Sequence, residues 1–180
     1  MGNLKIIDLK KYLKNKNEEE LMQEILTLAK TFKDVKEYYN LKINPESEKE
    51  ILEKYKKIVN NEFLPDRGFG KMRYSVVNDA IKEFQKISST PENIAELMIS
   101  YAEVGVEFTN TYGDIDEKFY NNIEKAYDNA LEYIQKNNLE DMFKERASQI
   151  QYEASDIGWG FGDYMSELYC NYYGWEDEEE

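Results

Sequence analysis

Residues 91–116 read P-E-N-I-A-E-L-M-I-S-Y-A-E-V-G-V-E-F-T-N-T-Y-G-D-I-D, and they decide how the chain folds. Thr90 offers a side-chain oxygen as N-cap, and Pro91 suits the first helical position, where its missing N–H costs nothing. From Ile94 to Phe108 the segment is apolar on almost every side. Its polar residues Glu96, Ser100, Glu103 and Glu107 step by four, three and four, which places them in one narrow stripe of a helix. A helix this apolar needs neighbours packed around it, so 91–108 is expected to form the centre of the fold. The stripe runs on in register through Asn110 to Asp114, in what reads as a polar turn.

Outward from this segment, every stretch with a clear period is helical. A short helix is expected over Ile6–Lys14, and Asn17 before Glu18, Glu19 and Glu20 marks a capped start. Leu21, Ile25, Leu28, Phe32, Val35 and Tyr39 then repeat at helical spacing, one long helix with room for a bend near Lys33 and Asp34. A helix after Asn44-Pro45 ends near Phe63, and Ser75 is expected to cap the one after it. Asp116 caps another, Asn137-Asn138 breaks it, and G-W-G-F-G (158–162) turns the chain into the last. No segment alternates with period two over a strand's length. The expectation is an all-α chain of about eight helices around 91–108, as an irregular bundle or α-α array. It is read as one domain over 1–175, with 176–180 a frayed acidic tail.

Composition limits the chemistry. The formal charge is −14, which disfavours double-stranded nucleic acid and favours a basic protein partner or none. There is no histidine, so Ser-His-Asp and Cys-His catalysis and His-ligated metals are unavailable. The single cysteine, Cys170, allows no intrachain disulfide or multi-cysteine metal site, and reads as a buried inert thiol. No apolar run approaches the ~20 residues of a membrane span, and M-G-N-L-K-I-I-D lacks a signal-peptide core. The expected location is the cytoplasm.

Three segments stand out as candidate sites. R-G-F-G-K-M-R holds Arg67, Lys71 and Arg73, two of only three arginines against twenty lysines. Arginine in that position suits planar recognition of a carboxylate or phosphate, and glycines let backbone N–H groups approach an anion. The competing and weightier reading pairs these arginines with carboxylates of the fold, such as Glu103, Glu107 or Asp114. The stripe and its turn, Glu103, Glu107, Asn110, Tyr112, Asp114 and Asp116, are rich in oxygen ligands suited to Mg²⁺. A solvated helix face with Asp116 as a cap accounts for most of that pattern. In G-W-G-F-G-D, Trp159 and Phe161 could form a stacking platform, though core packing is the commoner role.

Taken together, R-G-F-G-K-M-R (67–73), G-V-E-F-T-N-T-Y-G-D-I-D (105–116) and I-G-W-G-F-G-D (157–163) resemble a bacterial family catalogued as domain of unknown function 6155. L-K-K-Y-L (9–13), E-E-E-L (18–21) and K-E-Y-Y-N-L-K-I-N-P (36–45) are similar to it as well. The resemblance spans nearly the whole chain and implies a small cytoplasmic helical protein without an assigned activity. The functional expectation is a non-enzymatic module that binds protein, with no catalytic residue and no cofactor. The alternative is a Mg²⁺-dependent or anion-binding enzyme acting on a phosphorylated small molecule or nucleotide.

Overall fold

The computed structural model describes residues 4–174, so the acidic tail at 176–180 lies outside the described residues. The described residues are all-α, with nine α-helices and no strand. They fall into two compact units, one ending at Ser47 and the other beginning at Glu48.

The first unit holds α1 (Ile6–Lys14), α2 (Glu18–Thr31), α3 (Lys33–Ile43) and a short 3-10 turn, Pro45–Ser47. At the start of α2, Asn17 accepts from the Glu20 backbone N–H while the Glu20 carboxylate accepts from the Asn17 backbone N–H, a complete capping box. The single long helix expected over 17–41 is two. Phe32 takes extended dihedrals (φ −114°, ψ 121°) and serves as both the end of α2 and the N-cap of α3. This break accounts for nine helices rather than eight.

The second unit is built on α6 (Pro91–Tyr112), against which α4 (Glu48–Phe63), α5 (Tyr74–Ile87), α7 (Glu117–Lys136) and α8 (Glu140–Ala154) pack. The last helix, α9 (Phe161–Tyr173), packs on α7 and α8. Ile94, Ala95, Leu97, Ile99, Tyr101, Ala102, Val106 and Phe108 of α6 are all buried. The segment read as the centre is the centre. Close approach of α6 and α7 depends on Gly105, since a Cβ there would run into the Ile123 side chain.

Several local expectations are corrected. Thr90 is the N-cap of α6, but its hydroxyl makes no cap; it donates to Glu48 Oε2 at 2.7 Å. Glu48 is itself buried and also accepts from the Ser88 hydroxyl, so satisfying this carboxylate outweighs capping. Helix α5 begins at Tyr74 with Arg73 as N-cap, leaving Ser75 inside the helix. Helix α6 continues to Tyr112, so Asn110 and Tyr112 are helical residues rather than members of a turn. Cys170 is half-buried rather than fully enclosed.

Candidate functional site

The three glycine-bearing loops meet at the C-terminal end of α6. Loop 64–73 returns along the end of α4 because Glu62 holds it there. The Glu62 carboxylate, 5% exposed, accepts from Arg73 Nη2 at 2.6 Å, from Arg73 Nε at 3.0 Å and from the Arg73 backbone N–H at 3.1 Å. The Met72 N–H adds a bond to the Glu62 carbonyl at 2.8 Å. Gly70 lies against the Glu62 and Phe63 carbonyls, with no space for a Cβ. The Arg73 guanidinium, first by hydrogen bonding and then by charge, holds the Glu62 carboxyl below the usual carboxylate range against the opposing effect of burial. Arg73 is therefore a structural arginine. Its partner is Glu62 rather than Glu103, Glu107 or Asp114.

Pinned in this way, the loop presents Phe69 to α6. The Phe69 ring lies 4.9 Å from that of Tyr112 and 5.3 Å from that of Phe108, yet the side chain remains exposed. Arg67 and Lys71 are exposed beside it.

The second loop, 113–116, is organised by the Tyr120 hydroxyl. It donates to Asp114 Oδ1 at 2.6 Å, lies 3.2 Å from Thr109 Oγ1 and accepts from the Ile115 N–H at 3.4 Å. Asp116 Oδ1 accepts from the Phe119 N–H at 2.7 Å and caps α7, as its position predicts.

The third loop is tied to the second by Trp159, whose indole N–H donates to Asp114 Oδ2 at 2.6 Å. Asn110 adds a bond from its amide to the Glu153 carbonyl at 2.9 Å, joining the ends of α6 and α8. Trp159 and Gly160 both have positive φ, 63° and 77°, and the Phe161 N–H reaches the Gly158 carbonyl at 3.2 Å, which makes a primed turn. A left-handed tryptophan is unfavourable backbone, and the turn thrusts it outward: Trp159 is 85% exposed. Gly162 permits the turn to lie close on α8, where a Cβ would fall 2.6 Å from the Ala154 carbonyl oxygen.

Not every candidate joins this end. Phe161 starts α9 in the core, its ring 5.0 Å from Tyr120, and is not available to a ligand. Glu103 belongs to a separate network farther back on α6. There Arg146 donates from Nε and Nη2 to Glu103 at 2.8 and 2.6 Å and from Nη1 to Glu96, while Lys56 reaches Glu96 at 2.8 Å. Glu107 is exposed. Asp114 has both oxygens engaged by Tyr120 and Trp159, and Asp116 is engaged as a cap. Among the described residues no three Asp, Glu or Cys side chains gather as a metal cluster.

Sequence reasoning missed Glu62 and Arg146. Each left a signal. Glu62 is an acid in the last turn of a helix, where the dipole disfavours it unless a cation is at hand. Arg146 is the third of the chain's three arginines, three residues after the Phe143 core position and facing the acidic stripe.

The family of unknown function DUF6155 matches residues 4–172. The chain belongs to this family. No curated protein and no solved structure matches the chain. The DUF6155 match takes in all three loops and both units, so the convergent end of α6 lies within the family's matched span. No helix among the described residues is long and apolar enough to cross a membrane.

Proposed function

We propose that this DUF6155 member is a non-enzymatic protein-binding module whose contact surface is the loop cluster at the C-terminal end of α6. The observation that carries this reading is Trp159, a left-handed, outward-facing tryptophan fixed by a hydrogen bond to Asp114. Strained, exposed aromatics are unfavourable for a free domain, and they are the side chains that dominate protein contacts. Phe69 and Tyr112 are further exposed aromatics at this end of α6, and Glu107, Asp156 and Asp163 are exposed acids of the segments that carry it. Arg67 and Lys71 are exposed cations of the Phe69 loop.

The partner is a protein segment bearing Lys or Arg. A chain of net charge −14 draws cationic partners at long range, and exposed aromatic faces bind their ammonium or guanidinium groups at contact. The same charge opposes double-stranded nucleic acid. A histidine-free chain with one cysteine suits the reducing cytoplasm. The enzyme alternative draws less support, since Arg73 is committed to Glu62 and Asp114 to Tyr120 and Trp159.

Selection of a displayed peptide library on the full chain tests the reading. Lys/Arg-containing peptides should be selected, and the double variant Trp159→Ala/Phe69→Ala should lose them while remaining folded by circular dichroism. Peptides that bind the variant equally well would overturn the proposal. So would an empty selection accompanied by a Tm rise with Mg²⁺ and nucleotides.

A further inference from the structure

A second feature lies away from the loop cluster. Helices α5 and α7 both pack on α6, and the trough between them is a cavity of about 460 Å³ floored by Met98 and Tyr101. That volume falls in the range of small-molecule sites. Its walls are helical faces at regular spacing: Asn78, Ile81, Lys82 and Gln85 from α5, and Asn122, Lys125, Asn129 and Tyr133 among those from α7.

The trough is lined by amides and cations. Tyr101 is 2% exposed, and its hydroxyl is closed off beneath the floor of the trough. The Gln85 amide donates to the thioether sulfur of Met98 at 3.4 Å, a weak acceptor for a strong donor. Lys82 and Lys125, on opposite walls, make no ion pair among the described residues. The lining holds three lysines and one glutamate, and Glu132 is already paired with Lys136 at 2.6 Å. In a chain with 37 acidic residues against 23 basic ones, this is a local reversal of sign.

We infer that the α5–α7 trough binds a small organic anion carrying phosphate or carboxylate oxygens, held between Lys82 and Lys125 with its body over Met98 and Gln85. The lysines supply point charges to the anionic group. The Gln85 amide, in want of a good acceptor, meets an oxygen of the ligand's body. Asn78 and Asn129 at the rim add donors and acceptors for hydroxyls or a ring edge.

Thermal shift and calorimetry on the full chain test this with four probes: inorganic phosphate, citrate, glucose 6-phosphate and adenosine monophosphate. At least one should raise the Tm and bind with a micromolar to low-millimolar Kd. Binding of either phosphorylated organic probe without citrate identifies a phosphate ligand, and the reverse pattern a carboxylate one. Lys82→Ala/Lys125→Ala should weaken the bound probe at least tenfold. Gln85→Leu should weaken it several-fold, since it removes the amide that faces the ligand. Trp159→Ala should change neither value, which separates this site from the loop cluster. No response to any of the four probes, or equal binding by the double lysine variant, would overturn the inference.

Discussion

Trp159 Nε1 donates to Asp114 Oδ2 across 2.6 Å, and this bond joins the α8–α9 turn to the loop that follows α6. The Tyr120 hydroxyl holds the other Asp114 oxygen at the same distance. Together, Tyr120 first and Trp159 second, they hold the Asp114 carboxyl below the ordinary aspartate range. A group lowered in the folded state contributes stability above its unfolded pKa and loses it as the pH falls through the folded value. Trp159 emission, followed in a Trp175→Phe variant, should therefore change only in acid below the range of a free aspartate. Tyr120→Phe removes the larger contribution and should move that midpoint upward.

The left-handed backbone of Trp159 separates stability from binding. Glycine adopts φ 63° without strain, so Trp159→Gly should leave the unfolding free energy within about 1 kcal/mol of the native value. The same variant should lose the selected peptides entirely. Denaturant melts beside peptide titrations read both effects, and a large loss of stability would mean that Trp159 serves the fold.

Arg146 neutralises two carboxylates of α6 at once, and its side chain and theirs are only 26–33% exposed. Arg146→Met should cost about 1–3 kcal/mol, less than a fully buried pair because solvent still reaches the group. Adding Glu103→Gln should recover part of that loss. Urea melts of the single and double variants measure the coupling directly.

Gly105 meets Ile123 where α6 and α7 cross. Gly105→Ala forces that side chain aside and should destabilise by about 1–3 kcal/mol. Ile123→Val in the Gly105→Ala background gives up volume at the same point, so the pair should be less than additive. Additive losses would mean that the two helices are not in contact there.

How far the sequence reached depends on the range of the forces involved. The apolar girdle of 91–108 and the periodic faces around it are local patterns, and they were sufficient for an all-α fold centred on α6. The Asn17 capping box and the Asp116 cap were legible for the same reason, because each closes within three residues. Thr90 was misread because its hydroxyl answers Glu48, 42 residues away, a buried carboxylate that no local pattern announces. The break at Phe32 carries no Gly or Pro, so spacing alone allowed a bend near Lys33 and Asp34 but gave no reason for a new helix there. At the candidate site, the unusual composition of the three loops was visible. Their convergence was not, because it rests on pairings across long separations: Arg73 with Glu62, Phe69 with Tyr112, and Asp114 with Trp159. The α5–α7 trough was invisible because its lysines and amides read as ordinary solvated helix faces.

The convergence of the loops on one binding end is tested most directly by NMR of the full chain during titration with a selected cationic peptide. The Trp159 indole N–H resonance should move on Asp114→Asn, and Phe69 and Tyr112 ring protons should show mutual cross-relaxation. On titration, Trp159, Tyr112 and Phe69 should shift together with one Kd, while the Lys82 and Lys125 amides stay in place. An indole resonance indifferent to Asp114→Asn, or peptide shifts confined to one of the three loops, would contradict the account.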